Sequence, residues 1–200
     1  MIRFIFGIVV GIVLLTGGAW LWFHYGRTPV AVADESLPFE RALAHLALQA
    51  RIDREKQATP PVKPDETTFV AGARVYREQC AFCHGLAGHP SVAGTHMFPD
   101  ATPLWEKHGD VIGVSDDPPG ETYWKVTNGI RLTGMPAYKQ VLSETETWQV
   151  SVLLANADKP LPPAALTMLK TPLAPDSGAT SDLQVSKLFT APTTAAKPAH

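Results

Sequence analysis

Cys80-Ala81-Phe82-Cys83-His84 places two thiols and an imidazole within five consecutive residues. Two residues between the thiols let one helical turn present both sulfurs to one edge of a planar group, with the adjacent imidazole beneath its centre. Cys-x-x-Cys-His is the attachment pattern of a c-type haem, in which the thiols take the vinyl groups and His84 takes one axial iron position. A structural zinc site needs four ligands, and the chain has no second cysteine pair to supply them. A thioredoxin-like dithiol would end a strand, whereas the residues before Cys80 carry a helical pattern.

That pattern comes from Phe69, Gly72/Ala73, Tyr76 and Cys80, which recur every three to four residues and so share one helical face. Asp65 to Thr68 offers side-chain acceptors for the free N–H groups of a helix start after a proline-rich stretch. Gly72 is a weak helix former, at roughly 1 kcal/mol relative to Ala, so close approach of another helix is its expected compensation. Ser143-Glu144-Thr145-Glu146 has capping-box form and opens a second helix, with Trp148, Val152 and Ala155 on one stripe. Trp148 is the expected partner of Gly72.

Gly72-x-x-x-Tyr76-x-x-x-Cys80-x-x-Cys83-His84-Gly85 resembles the first helix and haem motif of the class I cytochromes c. The resemblance implies an all-α fold around one covalently attached haem c, with a final helix crossing the first. Asn128 to Tyr138 is similar to the family's distal segment, in which a helix ends at Asn-Gly and a loop presents Met just before Pro. Met135 is therefore the expected sixth ligand. Its soft thioether suits haem iron and raises the potential relative to a second His. His89, His96, Met97 and His108 are competitors, all nearer the motif in sequence and expected in a polar loop. Ligation by His96 or His108 would make a bis-His centre of lower potential.

Phe98 to Trp105 resembles the segment lining the haem edge in the same family, where a proline carbonyl accepts the proximal imidazole N–H; the resemblance assigns this to Pro103. Such a bond fixes the tautomer and ring orientation of His84. Glu121 to Thr127 reads as a short helix ending at Asn128-Gly129, with Trp124 expected in its core or against the haem.

Phe4 to Phe23 is apolar apart from Thr16 and several glycines, about the twenty residues that cross a bilayer as a helix. Trp20, Trp22 and Tyr25 cluster at its end like an interfacial belt. A secretory signal is the alternative, with Ala31-Val32-Ala33 as its small-residue site, but the apolar run is longer than the usual seven to fifteen residues. The expected organisation is an anchor over 1–26, a helix and proline-rich linker over 27–64, a haem domain over 65–157 and a largely disordered Pro/Ala/Thr-rich tail over 158–200. Within these, 37–56 reads as a helix of open role, and 163–170 as a helical turn or surface segment.

The family attaches haem outside the cytoplasm. This implies a bacterial inner-membrane protein with its N-terminus inside and its haem domain in the periplasm. Over 65–157 there are six Lys/Arg against eleven Asp/Glu, a net charge of −5 that makes nucleic acid an implausible partner. The resemblance extends to cytochrome subunits of respiratory oxidases and periplasmic dehydrogenases. It implies a one-electron carrier rather than an enzyme, joined in a membrane complex to a donor dehydrogenase or an acceptor oxidase. A haem enzyme or gas sensor with a labile distal ligand is the competing class.

Overall fold

A computed structural model describes residues 1–57 and 59–172, as two compact units divided after Ala44. In the first unit, helix α1 (Ile2–Tyr25) is long and apolar enough to cross a membrane and buries none of its residues. Helix α2 (Glu40–Glu55) begins in this unit and runs past the division.

The second unit is mostly helical. After α2 come α3 (Glu66–Gln79), the single turn α4 (Ala81–His84), and a two-residue hairpin of β1 (Lys107–His108) and β2 (Val111–Ile112). Helices α5 (Pro119–Asn128), α6 (Glu144–Leu154) and α7 (Pro163–Lys170) follow. Asp65 caps α3 by accepting from the Thr68 amide at 2.9 Å, and the Ser143/Glu146 capping box opens α6. The core forms where α3 meets α6 and α7. Phe69, Ala73, Val75 and Tyr76 pack with Val150, Val152, Leu153, Ala165 and Leu169.

The α3–α6 crossing turns on Gly72. A Cβ there would lie 2.8 Å from the Gln149 carbonyl carbon, a distance real Cβ atoms essentially never show, and 3.1 Å from the Leu153 Cβ, a tight contact. The close partner is thus α6 backbone rather than the Trp148 side chain. Trp148 is fully buried one position away and stacks on Tyr123 of α5, with ring centroids 4.1 Å apart. A residue and its neighbour leave a helix in different directions, which explains the offset. Gly72→Ala pushes backbone against backbone and is expected to cost about 1–3 kcal/mol. Thermal unfolding of the holoprotein should show a drop of roughly 4–8 °C per kcal/mol; an unchanged midpoint would mean the crossing can open freely.

Two segments outside the expected haem domain are part of this unit. Ile52 of α2 is fully buried, and Glu55 accepts from the Trp124 indole N–H at 2.9 Å. Nearby, burial opposes the charge of Glu121. Lys125 at 2.9 Å, Gln49 and Lys56 at 3.6 Å outweigh that burial and hold its carboxyl below the ordinary value. At the other end, residues 158–172, expected in the tail, instead include a packed helix. Ala165 and Leu169 are fully buried, and the Arg77 guanidinium donates to the carbonyls of Met168 at 2.8 Å, Pro172 at 2.9 Å and Thr171. Those three acceptors lie at the end of α7, where a helix leaves carbonyls unpaired and a cation is favoured. The remaining tail, 173–200, lies outside the described residues.

Candidate functional site

Cys80 ends α3, its amide bonded to the Tyr76 carbonyl, and starts α4. The Cys80 carbonyl accepts from the amides of Cys83 at 3.2 Å and His84 at 2.9 Å, so the motif is wound into one turn. The buried Tyr76 hydroxyl donates to the Gly85 carbonyl at 2.7 Å and ties the end of that turn back to α3. Cys80, Cys83 and His84 all line one mostly apolar cleft of about 760 Å³.

His84 is held at both ends. Its Nδ1 lies 2.7 Å from the Thr102 carbonyl, and its own carbonyl accepts from the Leu104 amide at 3.4 Å. A carbonyl only accepts, so Nδ1 carries the proton and Nε2 keeps its lone pair for a metal. Burial pushes the imidazole below its ordinary pKa, against the opposing pull of the Thr102 bond. The acceptor expected at Pro103 is therefore one residue earlier. The ring of Pro103 restricts Thr102 to extended backbone, and it is Thr102 that lines the cleft. Burial and the neighbouring Cys83 push the Cys80 thiol up to about 12, and burial also raises Cys83. Both thiols are consequently neutral and poor nucleophiles.

The distal side is built from the end of α5. Gly129 takes a left-handed φ of 66°, and a Cβ there would sit 2.7 Å from the Ala137 amide nitrogen and 2.9 Å from the Met135 carbonyl oxygen. The loop folds back through Ile130 N–H to the Met135 carbonyl at 3.2 Å and Tyr138 N–H to the Val126 carbonyl at 3.0 Å. Met135, half-buried, lines the same cleft as the motif. Tyr138 lines it too, and its hydroxyl donates to the Gln79 carbonyl at 2.7 Å, joining the distal loop to the residue before Cys80.

Of the four competitors for the distal position, His89, His96 and His108 are exposed and absent from the cleft lining, whereas Met97 is part of it. Its sulfur lies 3.1 Å from where a Cβ on Gly134 would be. Trp124 is buried but turned to Glu55 rather than to the cleft. Thr102, Tyr138 and Met97 carry no motif. Met97 is among the four competitors the sequence offers, and the Thr-Pro pair, which signals an extended carbonyl before Pro103, is the one local pointer to Thr102.

Two neutral thiols on one turn, an imidazole with Nε2 available and a thioether facing one apolar cleft are the donor set of a covalently held haem with His and Met ligands. The residues present fit that group. The model of the family described as cytochrome c oxidase, cbb3-type, subunit III matches residues 67–154. No curated protein and no solved structure matches the chain. The matched segment runs from the first turn of α3 to the last residue of α6 and takes in every residue of the cleft. Residues 67–154 are a cytochrome c domain of this family, which implies covalently bound haem c and a role in haem-based electron transfer.

Proposed function

We propose that the chain is a membrane-tethered one-electron carrier with a single haem, linked through Cys80 and Cys83 and ligated by His84 Nε2 and Met135 Sδ. The observation that carries this reading is the convergence of those four side chains on one cleft. The haem supplies a ferric/ferrous couple when bound. The chain's own residues set the terms of that exchange. Thr102 holds His84 in the tautomer that offers Nε2, and the loop closed on Gly129 presents Met135. Held by both His84 and Met135, the iron would offer no open site to a substrate, which favours a carrier over a haem enzyme or gas sensor.

Helix α1 supports tethering to a membrane, and the attachment of haem outside the cytoplasm that the family resemblance implies favours a bacterial inner membrane with the N-terminus inside and the haem domain in the periplasm. The net charge of −5 over 65–157 suits a basic docking patch on a donor dehydrogenase or acceptor oxidase of the same membrane, in a fast, salt-sensitive encounter. The full chain, extracted in detergent, is expected to carry one haem per polypeptide and to give a reversible one-electron voltammetric wave. Rapid stoichiometric carbon monoxide binding by the ferrous protein at neutral pH would instead mark a haem enzyme or sensor.

A further inference from the structure

The distal loop contains one polar side chain whose hydrogen bonds all serve its neighbours. The Thr133 hydroxyl donates to the Ile130 carbonyl at 2.7 Å and accepts from the Met135 amide at 3.1 Å. The Thr133 amide donates to the same Ile130 carbonyl at 3.2 Å, and the Ile130 amide donates to the Met135 carbonyl at 3.2 Å. These four bonds close Ile130–Met135 into a ring that fixes the Met135 backbone at both its N–H and its C=O. Leu132, inside the ring, is 90% exposed and held at a left-handed φ of 63°. A bulky residue rarely adopts that conformation unless its surroundings impose it.

We infer that the Thr133 hydroxyl is a positioning group for Met135, setting how firmly the thioether holds the iron against competing ligands. The inference rests on the Met135 ligation proposed above. The hydroxyl is the only group in the ring that acts as donor and acceptor at once, and it bridges the residue that turns the chain to the residue that would ligate. Valine has nearly the shape of threonine but neither bonding capacity. Thr133→Val therefore leaves the Met135 N–H without its acceptor and Leu132 without one of the bonds that impose its conformation. Serine keeps both bonds and loses only a methyl group.

Imidazole titration of the ferric holoprotein reads the effect, because added imidazole competes directly with the Met135 sulfur. Thr133→Val is expected to raise the apparent imidazole affinity roughly tenfold, the worth of one to two ordinary hydrogen bonds. Thr133→Ser is expected to stay within about twofold of the parent, a rescue that a packing role for the threonine methyl would not give. Thr133→Ala carries the same expectation as Val, should Val give no holoprotein. Affinities unchanged in Val and Ala, or raised equally in Ser, would overturn the inference. Met135→Ala, titrated alongside, separates the two readings. If it keeps the far-red charge-transfer band of sulfur ligation, the ligand assignment falls and takes this inference with it. If it loses the band while the Thr133 variants match the parent, only the hydroxyl's role falls.

Discussion

Met135→Ala is expected to abolish the low-spin His/Met spectrum and to lower the reduction potential by something on the order of 0.1–0.3 V, part of the roughly 0.8 V over which axial ligands tune haem. Thioether sulfur is a soft, weakly donating ligand that favours ferrous iron. An oxygen or nitrogen donor taking its place favours ferric iron. The alanine also opens a coordination site, so the ferrous variant should bind carbon monoxide where the parent does not. Met97→Ala is the matched control, since Met97 is the other thioether in the cleft and sits against Gly134. It is expected to keep both spectrum and potential. Optical spectra and voltammetry of the two variants decide the point. A spectrum lost on changing Met97 and kept on changing Met135 would transfer the ligand role to Met97.

The parts of this molecule readable from sequence are those in which side-chain type and local spacing suffice. Cys80, Cys83 and His84 are fixed by one turn, Asp65 and Ser143 by the bonds their short side chains make within three residues, and the Met135 loop by Asn128-Gly129 and Pro136. What was not readable depends on partners distant in the chain. The near-helical spacing of Leu37, Ala44, Leu48 and Ile52 marks one face, but that Ile52 alone of the four is fully buried follows from packing against distant residues that the spacing does not encode. Leu169 lies in a stretch with the composition of a disordered tail, yet α3 and Arg77 hold the end of α7 in place. The Thr102 and Pro103 assignment shows a third limit. Which backbone carbonyl faces an imidazole is a matter of loop geometry, and backbone carbonyls are identical along the chain. The sequence offers Met97 as one of four competitors in a polar loop and does not single it out, because its place on the cleft wall depends on how the loop closes over Gly134.

A haem-free Cys80→Ala/Cys83→Ala chain is expected to lose cooperative thermal unfolding while keeping part of its helical circular dichroism. The two sides of the cleft depend on the cofactor unequally. Val75, Tyr76, Val150, Leu153 and Leu169 bury one another where α3, α6 and α7 meet, and that cluster does not need a cofactor to exclude water. Ile130, Met135 and Tyr138, all only part-buried, instead face the cleft, so without haem their apolar surface meets solvent. A macrocycle larger than any aromatic side chain hides more than the roughly 150–250 Å² such side chains bury, equivalent to more than about 4–6 kcal/mol at ~25 cal/mol per Å². That is of the same order as the whole stability of an ordinary domain, about 5–15 kcal/mol. Loss should therefore concentrate in α5 and the distal loop, where amide hydrogen exchange is expected to rise most, while α3 and α6 keep partial protection. Near-native circular dichroism together with a cooperative melt would show that protein–protein packing alone, including the α7 clasp by Arg77 and the buried Ile52, is enough to hold the domain.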